Sequence, residues 1–201
     1  MIWNEAPQVG FNEKRHQYTK DGLILPSVTQ IMKPLTLSVY DGTPRQAMSD
    51  AADRGTKVHA AISDHVLYDI LKYDDEMELY VRAFLDFENH FKPTWLASEC
   101  RIHHKNLDYA GTIDLIGYVE PDNGNGVDVV DLKCTAQNHK ILLDTQLGAY
   151  AEALKSHDVK IRNCYGLQLL KTGKYRFTKQ DPVNGFMLFL HCRGLYNALR
   201  R

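Results

Sequence analysis

Two apolar segments on either side of a dense turn signal constrain most strongly how this chain can fold. The segments are AGTIDLIGYV, residues 110–119, and GVDVVDLKCT, residues 126–135, and they are joined by EPDNGNG, residues 120–126. Valine, isoleucine and leucine favour strands, whereas clustered Pro, Asp, Asn and Gly favour a reversal of the chain. The pattern therefore predicts the two antiparallel strands of a hairpin.

Charged residues interrupt both of these strands. Asp131 and Lys133 lie two residues apart, so a strand would place them on one face, ~6.6 Å apart along the chain at ~3.3 Å per residue. Asp114 lies on the same face if it pairs with Asp131, whereas pairing that is symmetric about Asn123 would set Asp114 opposite Leu132. A charge among apolar residues costs free energy unless it is paired or used.

Two interpretations follow from these residues alone. In the first, Asp114 faces water and Asp131 forms an ordinary salt bridge with Lys133. In the second, both carboxylates share one face, which they tolerate only around a cation or by sharing a proton. The first describes a surface pair and the second an active site.

The other periodicities predict the elements around this hairpin. Residues 1–43 are expected to form an N-terminal hairpin and a short helix that begins at Ser27, ends at Pro34 and packs on the core. Helices are predicted over about 44–71, with a break at Gly55, and over 74–91, 139–157 and 182–201, and further strands over 95–104, 162–170 and 174–180. The order indicates one α/β domain, residues 1–201, with a central mixed sheet of about five strands flanked by helices.

Charge and cysteine spacing restrict the class of protein. The chain has 24 basic and 25 acidic residues, so a DNA partner requires either locally grouped basic side chains or metal ions. The four cysteines are widely spaced without a C-x-x-C pair, which favours free thiols over a zinc ribbon or an iron–sulfur cluster. No apolar run approaches the ~20 residues that cross a bilayer, and the first residues lack the layout of a signal peptide. We therefore expect a cytoplasmic protein with no membrane partner.

Four motifs, taken together, resemble the PD-(D/E)XK nuclease superfamily. GTID, residues 111–114, and VVDLKCT, residues 129–135, are similar to its core pattern, an Asp on one strand and D/E-x-K on the next. RGTKVH, residues 54–59, resembles the helical histidine motif of the RecB-like exonuclease branch, and QLGAY, residues 146–150, resembles the Gln-x-x-x-Tyr helix of that branch. LPSVTQIM, residues 25–32, is similar to the start of phage-type members. The resemblance implies a restriction-endonuclease-like core in a stand-alone member of phage or prophage type.

The resemblance also implies a divalent-metal-dependent deoxyribonuclease. Its metal, Mg²⁺ or Mn²⁺, would be bound by His59, Asp114, Asp131, the backbone carbonyl of Leu132 and Glu99. Oxygen ligands suit Mg²⁺, and the imidazole makes Mn²⁺ a plausible alternative. Phosphodiester hydrolysis needs an activated water and relief of negative charge, and a hard divalent cation supplies both.

Three further residues are expected to take part in catalysis. Lys133, beside Asp131, would orient or help to deprotonate the attacking water and stabilise the charged transition state. Gln146 and Tyr150 lie four residues apart on one helix face. The resemblance implies that they orient Lys133, the metal-bound water or the substrate phosphate.

DNA is the expected partner, and its backbone is expected to contact Arg54, Lys57 and Lys140. No P-loop is present, so any unwinding would come from a partner such as a helicase, and a single-strand annealing protein is a second expected partner. The expected activity is that of an exonuclease in phage or prophage recombination, replication or repair. Two alternatives remain, a structure-specific endonuclease or RNA-acting nuclease of the same fold, and a non-catalytic nucleic-acid-binding module.

Overall fold

A five-stranded mixed sheet lies between two groups of helices, and a three-stranded antiparallel sheet precedes it. The computed structural model describes residues 9–121, 124–135 and 137–200. The strands are β1 Gly10–Asn12, β2 Gln17–Lys20, β3 Leu23–Leu25, β4 Thr94–His103, β5 Ala110–Tyr118, β6 Val127–Lys133, β7 Ile161–Leu169 and β8 Tyr175–Lys179. The α-helices are α1 Val28–Ile31, α2 Lys33–Val39, α3 Arg45–Tyr68, α4 Glu78–Phe91, α5 Lys140–Lys155 and α6 Pro182–Ala198. The predicted fold class is confirmed.

The N-terminal segment differs from its prediction in two ways. β1, β2 and β3 form a three-stranded sheet rather than a two-stranded hairpin. Ser27 begins α1 as predicted, because its hydroxyl accepts the Gln30 amide while the Gln30 side chain accepts the Ser27 amide. Pro34 does not end the segment, because it occupies the first turn of α2, where the missing N–H of proline is not needed. Residues 1–8 of the predicted N-terminal unit lie outside the described residues.

The long helix α3 runs through Gly55 without interruption, so the predicted break there is wrong. A glycine inside a helix costs about 1 kcal/mol relative to alanine. The fully buried Val58 and nearly fully buried Ile62 offset this cost by packing on the sheet. The other helices and strands lie close to their predicted bounds. Within the described part of the chain, no helix is long and apolar enough to cross a membrane.

The register between β5 and β6 answers the question raised by the two aspartates. Among the described residues, the two strands pair antiparallel at three positions, beginning with Leu115 opposite Val130. Continuing this register by one residue sets Asp114 opposite Asp131, so the pairing symmetric about Asn123 is excluded, although Asn123 itself lies outside the described residues. The strands then diverge, and β6 continues parallel to β7, which makes the sheet mixed.

A buried polar network holds the closed end of this hairpin. Asp128 is fully buried, and it accepts hydrogen bonds from the Val119 amide and from the guanidinium of Arg162. The same guanidinium donates to the carbonyls of Glu120 and Pro121 at 3.0 Å. A buried charge that is paired and fully hydrogen-bonded is tolerated and fixes one arrangement of the strands. The network therefore supports the register that places Asp114 opposite Asp131.

Two hydrophobic cores lie on the two faces of the central sheet. The first core joins α1, α5 and α6 to the sheet, with Leu147 and Phe189 fully buried. The second joins α3 and α4 to the opposite face, where Phe84 and Phe87 are fully buried. Val130, Leu132 and Cys134 of the β6 segment belong to the second core, so Asp131 and Lys133 face the first.

The alternation of side chains along β4 and β5 is broken. Ala97 and Cys100 are three residues apart on β4 yet contribute to the same core, and Ile113 and Ile116 on β5 do the same. An unbroken strand would place residues three apart on opposite faces. On β4 the break falls at Glu99, whose φ of 50° lies in the left-handed region that residues other than glycine rarely adopt.

Candidate active site

Three side chains from three elements converge where the alternation breaks. Nδ1 of His59, on α3, lies 3.3 Å from Oδ1 of Asp114 on β5 and 3.7 Å from Oε1 of Glu99 on β4. One ligand atom of each residue lies within 4.8 Å of the other two. Glu99 and Asp114 are missing from the residue pairs that join β4 to β5, although the residues on either side of them are paired. Their side chains therefore do not follow the core-facing side chains of the neighbouring residues. An imidazole and two carboxylates at this spacing suit a divalent cation.

Asp114 is held by the neighbouring strand. Its Oδ2 accepts a hydrogen bond of 2.6 Å from the Leu132 amide. Burial by itself would raise the pKa of Asp114, but His59, Lys133 and the Leu132 amide together lower it below its usual value. Burial likewise opposes the charged form of His59, but Asp114 and Glu99 raise the pKa of His59 well above its usual value. The carboxylate of Asp114 is therefore ionised and its orientation is fixed.

Asp131 and Lys133 form a contact pair on the other side of this cluster. Oδ2 of Asp131 lies 2.6 Å from Nζ of Lys133. Burial, together with the charge of Asp114, raises the pKa of Asp131 to about 6, although Lys133 opposes the shift. Burial opposes the charged form of Lys133, but the two aspartates raise the pKa of Lys133 above its usual value. The salt bridge of the first interpretation is thus present, but it lies beside the carboxylate of Asp114 rather than at the surface.

The helix α5 positions Lys133 from above the sheet. Nζ of Lys133 donates to Oε1 of Gln146 at 3.2 Å, and Nε2 of Gln146 donates to the hydroxyl of Tyr150 at 3.3 Å. Tyr150 is nearly fully buried, and a Cβ on Gly111 would lie 2.6 Å from its ring. The glycine of the GTID motif therefore makes room for the tyrosine of the QLGAY motif.

The buried carboxylate of Asp131 points to a cation at this site. Both of its oxygens are buried without a hydrogen bond of good geometry to any described residue, although Nζ of Lys133 is near. Buried charges of this kind are normally paired or coordinate a metal. Its oxygens are not among the atoms that cluster within 4.8 Å, which belong to His59, Glu99 and Asp114. The donor set, one imidazole and three carboxylates, fits Mg²⁺ or Mn²⁺.

The three basic residues predicted to bind DNA have different surroundings. Arg54 lies over the ring of Tyr80, with its guanidinium carbon 5.6 Å from the ring centroid, and its Nε is buried. Lys57 is exposed. Lys140 is exposed and forms an ion pair of 2.6 Å with Asp144. Among the interactions of the described residues, none joins these three to His59, Glu99 or Asp114.

Two cavities flank the site, and sequence reasoning missed most of their lining. One of about 590 Å³ lies between His59, Glu99 and the N-terminal sheet, where Phe11 and His16 line it. Another of about 250 Å³ lies beside Lys133 and is lined by further side chains, namely Tyr40, Asn138, His139 and Gln146. Tyr40 and His139 meet edge to face, with ring centroids 4.9 Å apart. Their separation in sequence hides this contact, which joins the residue after α2 to the residue before α5.

The fold and the site together define the class of protein. The family model of the PD-(D/E)XK nuclease superfamily matches residues 46–187, which is more than half of the chain. The chain belongs to that superfamily. The matched region contains His59, Asp114, Asp131 and Lys133.

Two solved structures are similar to this chain in outline. One is an alkaline exonuclease (LHK-Exo) from Laribacter hongkongensis, which is 13% identical, with 87% of this chain and 91% of that chain covered and a TM-score of 0.42. The other is LHK-Exo in complex with dAMP, which is 12% identical, with 88% and 92% of the chains covered and a TM-score of 0.41. A comparison with curated proteins gave no match.

Proposed function

We propose that this protein is a divalent-metal-dependent deoxyribonuclease that hydrolyses phosphodiester bonds. The observation that carries the proposal is the convergence of His59, Glu99 and Asp114 beside the buried carboxylate of Asp131, whose one charged neighbour among its ion pairs with described residues is Lys133. A structural salt bridge alone would not require three acidic side chains and an imidazole at a break in the sheet. Membership of a nuclease superfamily supports the same conclusion.

The ligand residues have one task, and Lys133 has another. His59, Glu99, Asp114 and Asp131, with the carbonyl of Leu132, would hold Mg²⁺ or Mn²⁺. When bound, the cation supplies charge neutralisation at the phosphate and lowers the pKa of a water. Because hydrogen bonding from Leu132 already fixes the carboxylate of Asp114, little reorganisation is needed when the ligand set is filled.

Lys133 is placed to act on the water and on the phosphate. Its ammonium is held between Asp131 and Gln146, so its position is set by β6 and α5 together. In that position its ammonium orients the attacking water and stabilises the charge that develops on the phosphate oxygens. Gln146 and Tyr150 act through Lys133 as positioning residues.

We further propose that the enzyme is an exonuclease of phage or prophage type, acting in the cytoplasm in recombination, replication or repair. The RGTKVH and QLGAY motifs support this proposal, because His59 lies 3.3 Å from Asp114 and Gln146 is hydrogen-bonded to both Lys133 and Tyr150. A helicase or a single-strand annealing protein is the proposed partner. Residues 1–201 would act as one nuclease unit.

One incubation series tests the activity. Linear duplex, linear single-stranded and covalently closed circular DNA are mixed with the protein and Mg²⁺, Mn²⁺ or EDTA. We expect nucleotides to be released from linear DNA with either metal, no cutting of circles, and no reaction in EDTA. Cutting of circles would instead indicate the endonuclease alternative, and release from RNA alone would indicate an RNA-acting enzyme. DNA binding without any hydrolysis under all metals would indicate a non-catalytic module.

A further inference from the structure

A segment rich in basic residues follows the site. From Val159 to Gln180 the chain has six basic residues and no acidic residue, although its overall charge is −1. Arg162 is committed to Asp128, but Lys171, Lys174, Arg176 and Lys179 are exposed. None of these four has an ion pair with a described carboxylate. The segment therefore presents locally grouped positive charge that the fold itself does not neutralise.

The strand register aligns this charge with the catalytic lysine. Lys133 of β6 pairs with Gln168 of β7, and Gln168 pairs with Arg176 of β8. Directly opposed residues of neighbouring strands share a face, so Lys133 and Arg176 point to the same side of the sheet. Two strand spacings separate them, which amounts to about 10 Å at ~4.8 Å per strand. Phe177 packs into the core on the opposite side and fixes the orientation of β8.

Two cavities with one lining residue in common lie at the two positions. A cavity of about 400 Å³ is lined by Lys140, Arg176 and Lys179 together with Asn138. Asn138 also lines the cavity that contains Lys133. The cavity beside β8 lies at the border of the sheet, because β8 is the edge strand.

We propose that the surface beside β8, where Lys140, Arg176 and Lys179 line one cavity, binds the phosphate backbone of a nucleic-acid strand whose cleaved phosphate lies at Lys133. This inference rests on the proposed function. The ~10 Å between the two positions exceeds the ~3.4 Å axial rise of one nucleotide, so Lys133 and Arg176 contact different phosphates of the strand. Arg176 therefore contacts the backbone beyond the bond that is cut, within a few nucleotides of it. Lysines on an edge strand also protect against aggregation, and the test below separates that role from binding.

The test uses charge reversal in the full chain. Arg176→Glu/Lys179→Glu is compared with Lys72→Glu/Lys160→Glu, whose side chains are likewise exposed without an ion pair among the described residues. Binding of fluorescent single-stranded DNA of 2, 4, 8 and 12 nucleotides is measured by anisotropy in EDTA at several salt concentrations. Circular dichroism checks that each variant is folded.

The expected result depends on length. The Arg176→Glu/Lys179→Glu variant binds the 12-mer about tenfold or more weakly than the parent. Its binding constant also depends less on salt, since each lost phosphate contact reduces the slope of log K against log salt concentration by ~0.7. The loss is much smaller for the dinucleotide, and the control variant binds the 12-mer as the parent does. Equal losses in both variants, an equal loss at every length, or no loss at all would overturn the proposal and leave edge protection as the role of these residues.

The two measurements distinguish a failure of the binding proposal from a failure of the proposed function. If the parent cuts no DNA but the length-dependent loss appears, the β8 surface stands and the proposed function does not. If the parent cuts DNA and the loss is absent, the proposed function stands and the β8 surface does not.

Discussion

The amide of Leu132 donates to Oδ2 of Asp114 at 2.6 Å, so a side chain of β5 takes the place of the next backbone bond between β5 and β6. The strands separate at this point, and the carboxylate fills the space between them. Asp114 therefore has two tasks, because Oδ2 satisfies a backbone donor while Oδ1 faces His59.

Two substitutions of Asp114 separate these tasks. Asp114→Asn keeps an oxygen for the Leu132 amide but loses the charge, so we expect activity to disappear with a nearly unchanged free energy of unfolding. Asp114→Ala leaves a buried donor unsatisfied and should lower the free energy of unfolding by about 1–3 kcal/mol as well. Urea unfolding of both variants in EDTA provides the measurement. Equal stability of the two variants would contradict the structural task.

Removal of Lys133 should affect the chemistry more than binding. Lys133→Met is expected to lower kcat by about 100-fold or more with a small change in KM, because the proposed role of its ammonium is to stabilise charge that develops in the transition state. Lys155→Met is the matched control, since Lys155 forms an exposed ion pair of 2.7 Å with Glu152 on the same helix that positions Lys133. Steady-state hydrolysis of a labelled oligonucleotide compares the two, and a Lys133→Met enzyme as fast as the control would refute the assigned role.

Metal binding should be visible as thermal stabilisation without any substrate. A ligand present at 100 times its Kd adds about 2.7 kcal/mol to the free energy of unfolding. We expect Mn²⁺ to raise the Tm of the parent and EDTA to reverse the change. His59→Gln should weaken this shift, whereas His191→Gln, which changes an exposed histidine on α6, should preserve it. An undiminished shift in His59→Gln would show that Mn²⁺ binds elsewhere.

Replacing Glu99 should change thermal stability and metal binding in different ways. Its φ of 50° is unfavourable for a side chain and natural for glycine. Glu99→Gly should therefore unfold at a Tm no lower than that of the parent, while its Mn²⁺-induced shift becomes smaller. Glu99→Gln keeps the backbone strain and loses the charge, so it serves as the control for metal affinity. A large fall in Tm for Glu99→Gly would show that the carboxylate stabilises the fold.

The buried His103 should make the fold sensitive to mild acid. Burial, with the nearby Lys20 and His157, lowers the pKa of His103 to about 4, against about 6.5 in the unfolded chain. As the pH falls, His103 therefore becomes protonated in the unfolded state before it does so in the folded state. Its contribution to the free energy of unfolding is fully present above pH 6.5. As the pH falls towards 4, stability falls by up to about 1.4 kcal/mol per pH unit.

A His103→Gln variant provides the comparison for this pH dependence. The difference in the free energy of unfolding between parent and variant should narrow from pH 6.5 to 5, as followed by urea unfolding. A constant difference across that range would mean that His103 takes up its proton equally in both states.

The strands around the site could be predicted because residues close together in sequence determine them. Alternating apolar residues and the turn-forming sequence after Val119 indicate β5 and β6, and the D-x-K spacing indicates a shared face. The same reasoning located Ser27 at the start of α1, because a capping side chain acts within one helical turn. These features depend on neighbours in sequence, so the sequence reveals them.

Other features depend on contacts that a sequence does not display. Nothing in the sequence marks Glu99 as a residue with positive φ, because residues other than glycine adopt that conformation only where the tertiary structure requires it. Pro34 is compatible with the end of one helix and with the first turn of the next, and tertiary packing selects the second. Arg176 is visibly basic, but its alignment with Lys133 follows from the parallel pairing of β6 with β7, which joins segments separated by α5.

The interruption of side-chain alternation on β4 and β5 has a consequence for how this molecule can change over evolutionary time. Glu99 and Asp114 belong to neither hydrophobic core, so replacing either of them by an uncharged residue leaves both cores intact. A descendant that retains one acceptor for the Leu132 amide can lose its chemistry and still fold. Inherited copies with this architecture and altered residues at these two positions would persist as stable proteins, available for selection towards a different use.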